Sequence, residues 1–218
     1  MTMTTIRTYD AADHAALVDL FARAGVGSPT GELWGHAESE RAVYLDPYVE
    51  HCPDSLFLAE HAGRLVGYLT GCPDPSSMPG EDEVLVRAIA RPRVLLRPRT
   101  LRFMGRTALD AARAALRREP LASGTVDDPR WPAHLHINVA PEARGTGAAD
   151  ALMAAWLRRL DEAGVPGCYL QTLVENHRAV RFFERVGFTV HGPTPLVPGI
   201  RHEGRRMHQL TMVRPAGE

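Results

Sequence analysis

The stretch Val139-Ala-Pro-Glu-Ala-Arg-Gly-Thr-Gly-Ala-Ala149 decides the fold, because it leads from a strand pattern into a helix pattern through two glycines. Residues 134–139 alternate as a strand does, and from about 147 to 163 large apolar residues recur every fourth position. Glycine turns the backbone tightly and leaves room for a ligand beside the main chain. The amides that open the helix point outward, where the helix dipole favours an anion. The stretch therefore predicts a strand–turn–helix unit that binds an anion such as a diphosphate.

Two common phosphate-binding loops do not fit this stretch. The Walker pattern ends in Gly-Lys-Ser/Thr, and the chain contains no lysine. The dinucleotide fingerprint requires a third glycine where this chain has Asp150. A glycine loop that only turns a corner is the alternative interpretation of the stretch taken alone.

The remaining patterns organise the chain around this unit. Strands and helices are predicted in the order β-α-(variable)-β-β-(insertion)-β-α-β-α-β-β, which indicates an α/β domain on a mixed sheet. We expect a single domain over residues 1–218, with a helical insertion over about 73–130. The last two strands are predicted at residues 188–190 and 207–213, and residues 28–54 follow no clear period.

Composition narrows the class of protein. Apolar residues make up 44% of the 218 residues and charged residues 23%, as in ordinary globular domains. The first twenty residues lack the pattern of a secretory signal, and no apolar run approaches the length of a membrane span. Cys52, Cys72 and Cys168 are too few and too scattered for a disulfide framework or a zinc motif. We therefore expect a cytoplasmic protein with no metal and no membrane partner.

Charge is unevenly distributed along the chain. Residues 87–118 carry ten arginines against one acid, Asp110, which raises nucleic-acid binding as an alternative function. The segment has no aromatic residue besides Phe103, and the formal net charge of the whole chain is −1. We interpret the arginines as a solvated helical face and predict no nucleic-acid partner at physiological salt.

Two motifs resemble those of a known family. The run Arg144-Gly-Thr-Gly-Ala-Ala149 is similar to the coenzyme A pyrophosphate loop of GNAT acetyltransferases, written Q/R-x-x-G-x-G/A. The run Asn176–Phe188 resembles the N-x-x-A-x-x-F-Y-x-x-x-G-F signature of that superfamily. Residues 132–139 look like a narrower bacterial group, similar to the acetyltransferase-like C-terminal domain of animal O-GlcNAcase. The resemblance implies a GNAT fold, whose mixed central sheet splays between strands 4 and 5 with helices on both faces.

The resemblance also implies a coenzyme site. Acetyl-CoA, the acetyl donor, lies in the splay, and the main chain of Val139 hydrogen bonds its pantetheine arm. Asn176 and Phe183 are expected to contact the coenzyme. The usual acid is a tyrosine at the position of Phe183, and phenylalanine has no proton to give. The pyrophosphate is expected to contact six consecutive residues: Arg144, Gly145, Thr146, Gly147, Ala148 and Ala149.

A catalytic base is expected on the strand before the loop. His134, His136 and Asn138 alternate and therefore share one face. The ordinary pKa of imidazole lies near neutrality, which suits proton transfer. The Ala-His-Leu-His run also resembles arylalkylamine N-acetyltransferases, which place a histidine pair on this strand. We predict His136 as the base, ahead of His134 because it lies closer to Val139; two packed structural histidines are the alternative.

The acceptor is expected to enter between residues 28–54 and this strand. Acidic and aromatic side chains there suit a cationic or aromatic amine, whereas a solvated acidic helix with a few core aromatics is the alternative. The residues concerned are Glu32, Trp34, Glu38, Glu40, Tyr44 and Tyr48. The sequence thus predicts an acetyl-CoA-dependent N-acetyltransferase acting on a small-molecule amine or a peptide. Because Phe183 lacks a proton, a catalytically silent acetyl-CoA-binding protein is the alternative function.

Overall fold

A computed structural model describes residues 4–25, 36–89, 97–122 and 124–217. The strands are β1 (Thr5–Thr8), β2 (Leu56–His61), β3 (Arg64–Cys72), β4 (Ala133–Val139), β5 (Gly167–Leu173), β6 (Thr189–Val190), β7 (Leu196–His202) and β8 (Arg205–Pro215). The helices are α1 (His14–Ala24), α2 (Ala37–Tyr44), α3 (Asp46–His51), α4 (Glu81–Ile89), α5 (Pro98–Arg117), α6 (Ala148–Glu162) and α7 (His177–Arg185).

The strands form one mixed sheet in the order β1-β2-β3-β4-β5-β8-β6, and β7 pairs with β8 outside this path. Only one of these pairings is parallel, that of β4 with β5; the others are antiparallel. A parallel pair requires a crossover connection, and α6 supplies it. The predicted α/β fold with a mixed sheet is confirmed.

Each face of the sheet is covered by helices. The larger apolar cluster joins α6 and α7 to the side chains of β4, β5 and β8, with Trp156 fully buried at its centre. A Cβ atom at Gly71 on β3 would overlap the Trp156 ring, so the missing side chain lets α6 lie close to the sheet. The smaller cluster packs Leu17 and Leu20 of α1 against Tyr68 on the opposite face.

Among the described residues, the helices α4 and α5 lie between β3 and β4, where a helical insertion is expected over about 73–130. Whether they are an insertion relative to related proteins stays a prediction. The α5 helix is fixed to the β7–β8 hairpin by Asp110, which is fully buried. One carboxylate oxygen accepts from the amide of Gly199 at 3.0 Å, and the other accepts from the guanidinium of Arg201 at 2.8 Å.

The sequence patterns miss two features of the chain. Strand β7 is missed because Pro198 and Gly199 interrupt its apolar pattern and read as a turn. The segment 28–54 is read without a regular period, but its described part contains α2 and α3. By contrast, the helix predicted from about 147 to 163 is observed at Ala148–Glu162, and the strand predicted at 134–139 is observed at Ala133–Val139.

Candidate active site

Two glycines shape the turn between β4 and α6. Gly145 has a φ of 84° and Gly147 a φ of 81°, both in the left-handed region that costs other residues strain. A Cβ atom built at either position meets nothing within 4 Å. The turn therefore presents its main chain to open space, as the sequence predicts for a loop that a ligand approaches.

The helix that follows this turn begins without a side-chain cap. Its N-cap residue is Gly147, which has no side chain to accept a hydrogen bond from the first amides. The first main-chain bond that α6 makes runs from Ala151 to the carbonyl of Gly147 at 3.0 Å. Fifteen residues of helix stand behind these amides, so their dipoles favour an anion at this end. Thr146 instead braces the turn, because its hydroxyl donates to the carbonyl of Ala143 at 2.7 Å.

Two arginines lie beside the loop. Arg144 and Arg178 are both exposed, and neither forms an ion pair within the described part of the chain. Partial burial, and secondly the charge of Arg144, lowers the pKa of Arg178. The second cause means that Arg144 lies within electrostatic reach of Arg178. In contrast, Arg185 on the same helix as Arg178 is paired with Asp150 at 2.6 Å. The loop therefore has two cations that a multiply charged anion can use.

The sheet opens between the two parallel strands. Strand β4 pairs with β5 only at Ala133 with Cys168 and at His134 with Tyr169. Beyond these two pairs β4 continues to Val139, which remains paired with Gly67 of β3 on its other side. The edge of β4 that faces β5 thus has main-chain groups along its last residues that no described strand pairs. This is the predicted splay between strands 4 and 5, and it leads to the glycine turn.

The two predicted coenzyme contacts on α7 have structural partners within the chain. Asn176 caps the helix, because its side-chain oxygen accepts from the amide of Ala179 at 3.3 Å. Phe183 is 6% exposed and packs its ring against Phe182 and Phe188, with centroids 5.3 and 5.9 Å away. The ring of Phe183 is therefore part of the apolar core under α7.

Strand β4 presents a polar face, called the histidine face below, on the side of the sheet opposite α6. His134, His136 and Asn138 share that face, as predicted, while Leu135 belongs to the α6 core. The Nε2 atom of His134 lies 2.8 Å from the hydroxyl of Tyr48 on α3. The Nδ2 atom of Asn138 donates to the hydroxyl of Tyr68 at 3.0 Å.

Aromatic rings surround the two histidines. The rings of Tyr44 and Tyr48 stand edge-on to His136 at 6.1 and 5.4 Å, and Tyr169 lies 5.6 Å from His134. Sequence reasoning selected Tyr44 and Tyr48 for this region, whereas it missed Tyr169. The missing signal is the register of β4 with β5, which only the folded sheet provides. Of the other predicted acceptor residues, Glu32 and Trp34 lie outside the described residues.

Burial lowers the pKa of both histidines. The pKa of His134 falls to about 3, chiefly because the ring is buried and secondly because of the charge of His136. The pKa of His136 falls to about 4 for the first reason alone, although its side chain keeps partial solvent contact. The expectation of a base that titrates near neutrality is therefore wrong for either ring in the free protein. Both are neutral at pH 7, and neutral imidazole can accept a proton.

Two buried polar atoms on this face lack a hydrogen-bond partner in the part of the chain that the structure describes. The Nδ1 atom of His134 has no hydrogen-bond partner among the described residues, and neither has the hydroxyl of Thr70, which stands opposite His136. Buried polar groups are nearly always paired in native proteins, so two orphaned groups here indicate a place for a polar guest. Thr70 is a second residue that the sequence patterns did not select.

Comparisons with known proteins agree with this geometry. Residues 109–188 match the model of the acetyltransferase (GNAT) family. The solved structure of SsHAT shares 24% identity, with a TM-score of 0.61 and coverage of 99% of this chain and 100% of that one. A phosphinothricin acetyltransferase of the GNAT superfamily from Sinorhizobium meliloti, solved with acetyl-CoA, shares 17% identity with a TM-score of 0.61, covering 99% of this chain and 90% of that one.

A curated relative matches over a shorter stretch. The mycothiol acetyltransferase of Nocardiopsis dassonvillei is 41% identical over 54 residues, which is 25% of this chain and 16% of that protein. The chain thus matches only a small part of this relative's length. The fold is that of an acetyltransferase, with a splayed mixed sheet and a glycine turn at a helix start. Residues 109–188 carry the match to the GNAT family, and the chain as a whole has the fold of solved GNAT acetyltransferases.

None of the described helices is both long and apolar enough to cross a bilayer.

Proposed function

We propose that this chain is an acetyl-CoA-dependent N-acetyltransferase that transfers an acetyl group to a primary amine of a small molecule or a peptide. The observation that carries the proposal is the uncapped start of α6, reached through two left-handed glycines at the end of a splayed strand. This arrangement offers outward amides to a diphosphate and unpaired strand groups to an extended arm beside it.

The residues of the loop suit the diphosphate of the coenzyme. We assign that contact to the amides of Gly145–Ala149 and to the side chain of Arg144. Arg178 lies within electrostatic reach of Arg144, and neither charge has an acidic partner within the described residues, so both are available to the phosphates. The pantetheine arm would then follow the edge of Val139, which faces the splay. We propose that the amide nitrogen of Asn176 contacts the coenzyme while its oxygen caps α7.

The histidine face suits the acceptor amine. The amine nitrogen attacks the thioester carbon, the carbon–sulfur bond breaks, and the amine loses a proton to a base. We propose His136 as that base, since it is neutral at pH 7 and keeps partial solvent contact. His134 contacts the hydroxyl of Tyr48 and is more deeply buried than His136. We therefore propose that His134 positions Tyr48 and the ring of His136.

The leaving thiolate departs without an aromatic acid in this proposal. Phe183 has no proton and lies in the core, but a thiol has an ordinary pKa of about 8.5 and its thiolate is a tolerable leaving group. Catalysis is therefore slower than with a tyrosine at this position. The tyrosine rings around His136 favour a cationic or aromatic amine as acceptor.

A catalytically silent acetyl-CoA-binding protein is the second candidate. Two observations favour it: Phe183 lacks the usual proton, and burial makes both histidines weak bases.

We further propose that the described elements act as a single domain. We also propose that the protein works in a reducing compartment, because its three cysteines are free.

The test combines a binding measurement with a turnover screen. Calorimetry with acetyl-CoA is expected to show one site per chain, and no heat at millimolar ligand would sink the proposal. A thiol-release screen of amines, aminoglycosides, amino sugars and peptides then separates the two candidates. Acceptor-dependent release of coenzyme A supports the enzyme. Binding without release for any acceptor supports the silent protein.

A further inference from the structure

Two of the three cysteines lie together behind the histidine face. Cys52 follows α3 and Cys72 ends β3, and the two pack in one small buried cluster with Tyr48 and Met78. The hydroxyl of Ser77 lies 3.7 Å from the sulfur of Cys52 and 3.9 Å from that of Cys72. The two cysteines are twenty positions apart in sequence, so the fold alone brings them together.

The two thiols differ in their readiness to ionise. A hydrogen bond from Cys72 lowers the pKa of Cys52, and the same bond raises the pKa of Cys72. Cys72 is fully buried, whereas Cys52 keeps 8% of its surface exposed. Burial raises the pKa of the third cysteine, Cys168, to about 12, although a hydrogen bond with Trp156 and the charge of Arg214 oppose the rise. The more accessible thiol of the pair is thus the better nucleophile, with a second thiol beside it.

We propose that Cys52 and Cys72 form a peroxide-reactive dithiol that closes into an intramolecular disulfide. The Cys52 thiolate attacks the terminal oxygen of a hydroperoxide, so that a sulfur–oxygen bond forms and the oxygen–oxygen bond breaks. The other oxygen takes up a proton and leaves as an alcohol or, from hydrogen peroxide, as water. The sulfenic acid formed at Cys52 is then attacked by the sulfur of Cys72. The new sulfur–sulfur bond releases water, so two thiols are oxidised and one peroxide is reduced.

The position of the pair connects this chemistry to the acceptor side of the site. The amide of Cys52 donates to the carbonyl of Tyr48 at 3.0 Å, and Cys72 stands opposite His134 in the sheet. A disulfide would tie the end of α3 to the end of β3 and so shift Tyr48 relative to His134. Resting on the proposed function, we infer that oxidation slows transfer to the acceptor and leaves acetyl-CoA binding within about twofold, because the coenzyme loop lies at the other end of β4.

The experiment treats the reduced protein with hydrogen peroxide at pH 7, alkylates the remaining thiols after denaturation, and measures the intact mass. The wild type is expected to keep one alkylatable thiol, to lose the mass of two hydrogen atoms, and to recover all three thiols after reduction. Cys168→Ser is the matched control and should still form the disulfide. Cys72→Ser is expected to stop at a sulfenic acid, which dimedone traps on Cys52.

The outcomes that overturn the inference are specific. The inference is overturned if all three thiols remain alkylatable after an excess of peroxide that oxidises free cysteine. It is also overturned if the disulfide forms between two chains. Equal rates of thiol loss in wild type and Cys52→Ser would contradict the role of Cys52, for which we expect a fall of roughly tenfold or more. The wild-type mass change alone decides whether the disulfide forms, so this outcome does not depend on the folding of any variant. Absence of acetyl-CoA binding in the reduced protein would instead sink the proposed function and leave the disulfide standing.

Discussion

The coenzyme loop and the histidine face are built in different ways, although both adjoin strand β4. The loop follows the C-terminal end of that strand, and His134 lies near its N-terminal end. The loop is made of main chain: Gly145 and Gly147 turn it, and α6 begins without a side-chain cap. The histidine face is made of side chains that come from five elements, as with His134 on β4 and its partner Tyr48 on α3. The loop is exposed to solvent, whereas His134 is 8% exposed.

The two sites therefore differ in the substitutions that would damage them. A site made of amides tolerates changes of neighbouring side chains but not a side chain where the backbone must turn. A site made of buried rings depends on every partner, because each lost contact leaves a polar atom without compensation. The predictions below test this contrast, in order of decreasing effect.

The largest effect is expected at the loop. Gly147→Asp adds strain at a φ of 81° and places a carboxylate against the diphosphate, at a total of about 4 kcal/mol. This corresponds to roughly a thousandfold rise in the Kd for acetyl-CoA. Calorimetry measures it. Gly164→Asp is the matched control, since that glycine has a φ of 64° at the far end of α6 and a Cβ there also meets nothing within 4 Å. Equal loss in both variants would contradict the contact with the diphosphate.

The second effect concerns stability in acid. His136 becomes protonated below about pH 6.5 in the unfolded chain but only below about pH 4 in the folded protein. The unfolded state therefore binds more protons between these values, and the free energy of unfolding falls as the pH is lowered through this window. At pH 4 the loss from this ring is about 3 kcal/mol relative to pH 7. Urea unfolding at a series of pH values checks it, and His136→Gln should flatten the curve. An unchanged curve would mean that the ring titrates normally.

The third effect separates turnover from binding. His136→Ala is expected to lower kcat about a hundredfold and to leave the Kd for acetyl-CoA within about twofold, since a base acts in the transition state. Above pH 6 the wild-type rate should show no rise from deprotonation of His136, because the ring is already neutral there. His202→Ala in the β7–β8 hairpin is the control. If His136→Ala and His134→Ala both match the wild type on the same acceptor, the histidines are structural.

The fourth effect is a smaller loss of stability, expected when the tyrosine that contacts His134 is changed. Tyr48→Phe removes the hydroxyl that lies 2.8 Å from Nε2 of His134 and leaves both nitrogens of a buried ring without a partner among the described residues. We expect a loss of about 1–2 kcal/mol in the free energy of unfolding. Tyr9→Phe is the matched control, because its hydroxyl contacts His14 at 3.4 Å near the surface. A loss no greater than that of the control would show that the Tyr48 bond contributes little.

The smallest effect is expected at Phe183. A hydroxyl added by Phe183→Tyr supplies the missing acid and should raise the turnover rate by at most about tenfold. The ring is packed against Phe182 and Phe188, so a stability measurement must accompany the rate. A rate below that of the wild type, in a variant of unchanged stability, would contradict the assigned position of the leaving thiolate.

Much of the coenzyme side was predictable from the sequence. The strand at residues 134–139, the glycine turn and the helix to Glu162 lie next to one another in the chain, so local patterns predict all three and their order. Strand β7 was not predictable, because Pro198 and Gly199 imitate a turn there and only its pairing with β8 makes it a strand.

The sequence by itself determined the mixed α/β fold, the loop and the shared face of His134 and His136, because each of these follows from spacing along one segment. Only the tertiary structure decided the partner of His134, the lowered pKa values of both rings, and the meeting of Cys52 with Cys72. The physical reason is that burial and hydrogen bonding depend on which distant elements pack against a residue, and no local period contains that information.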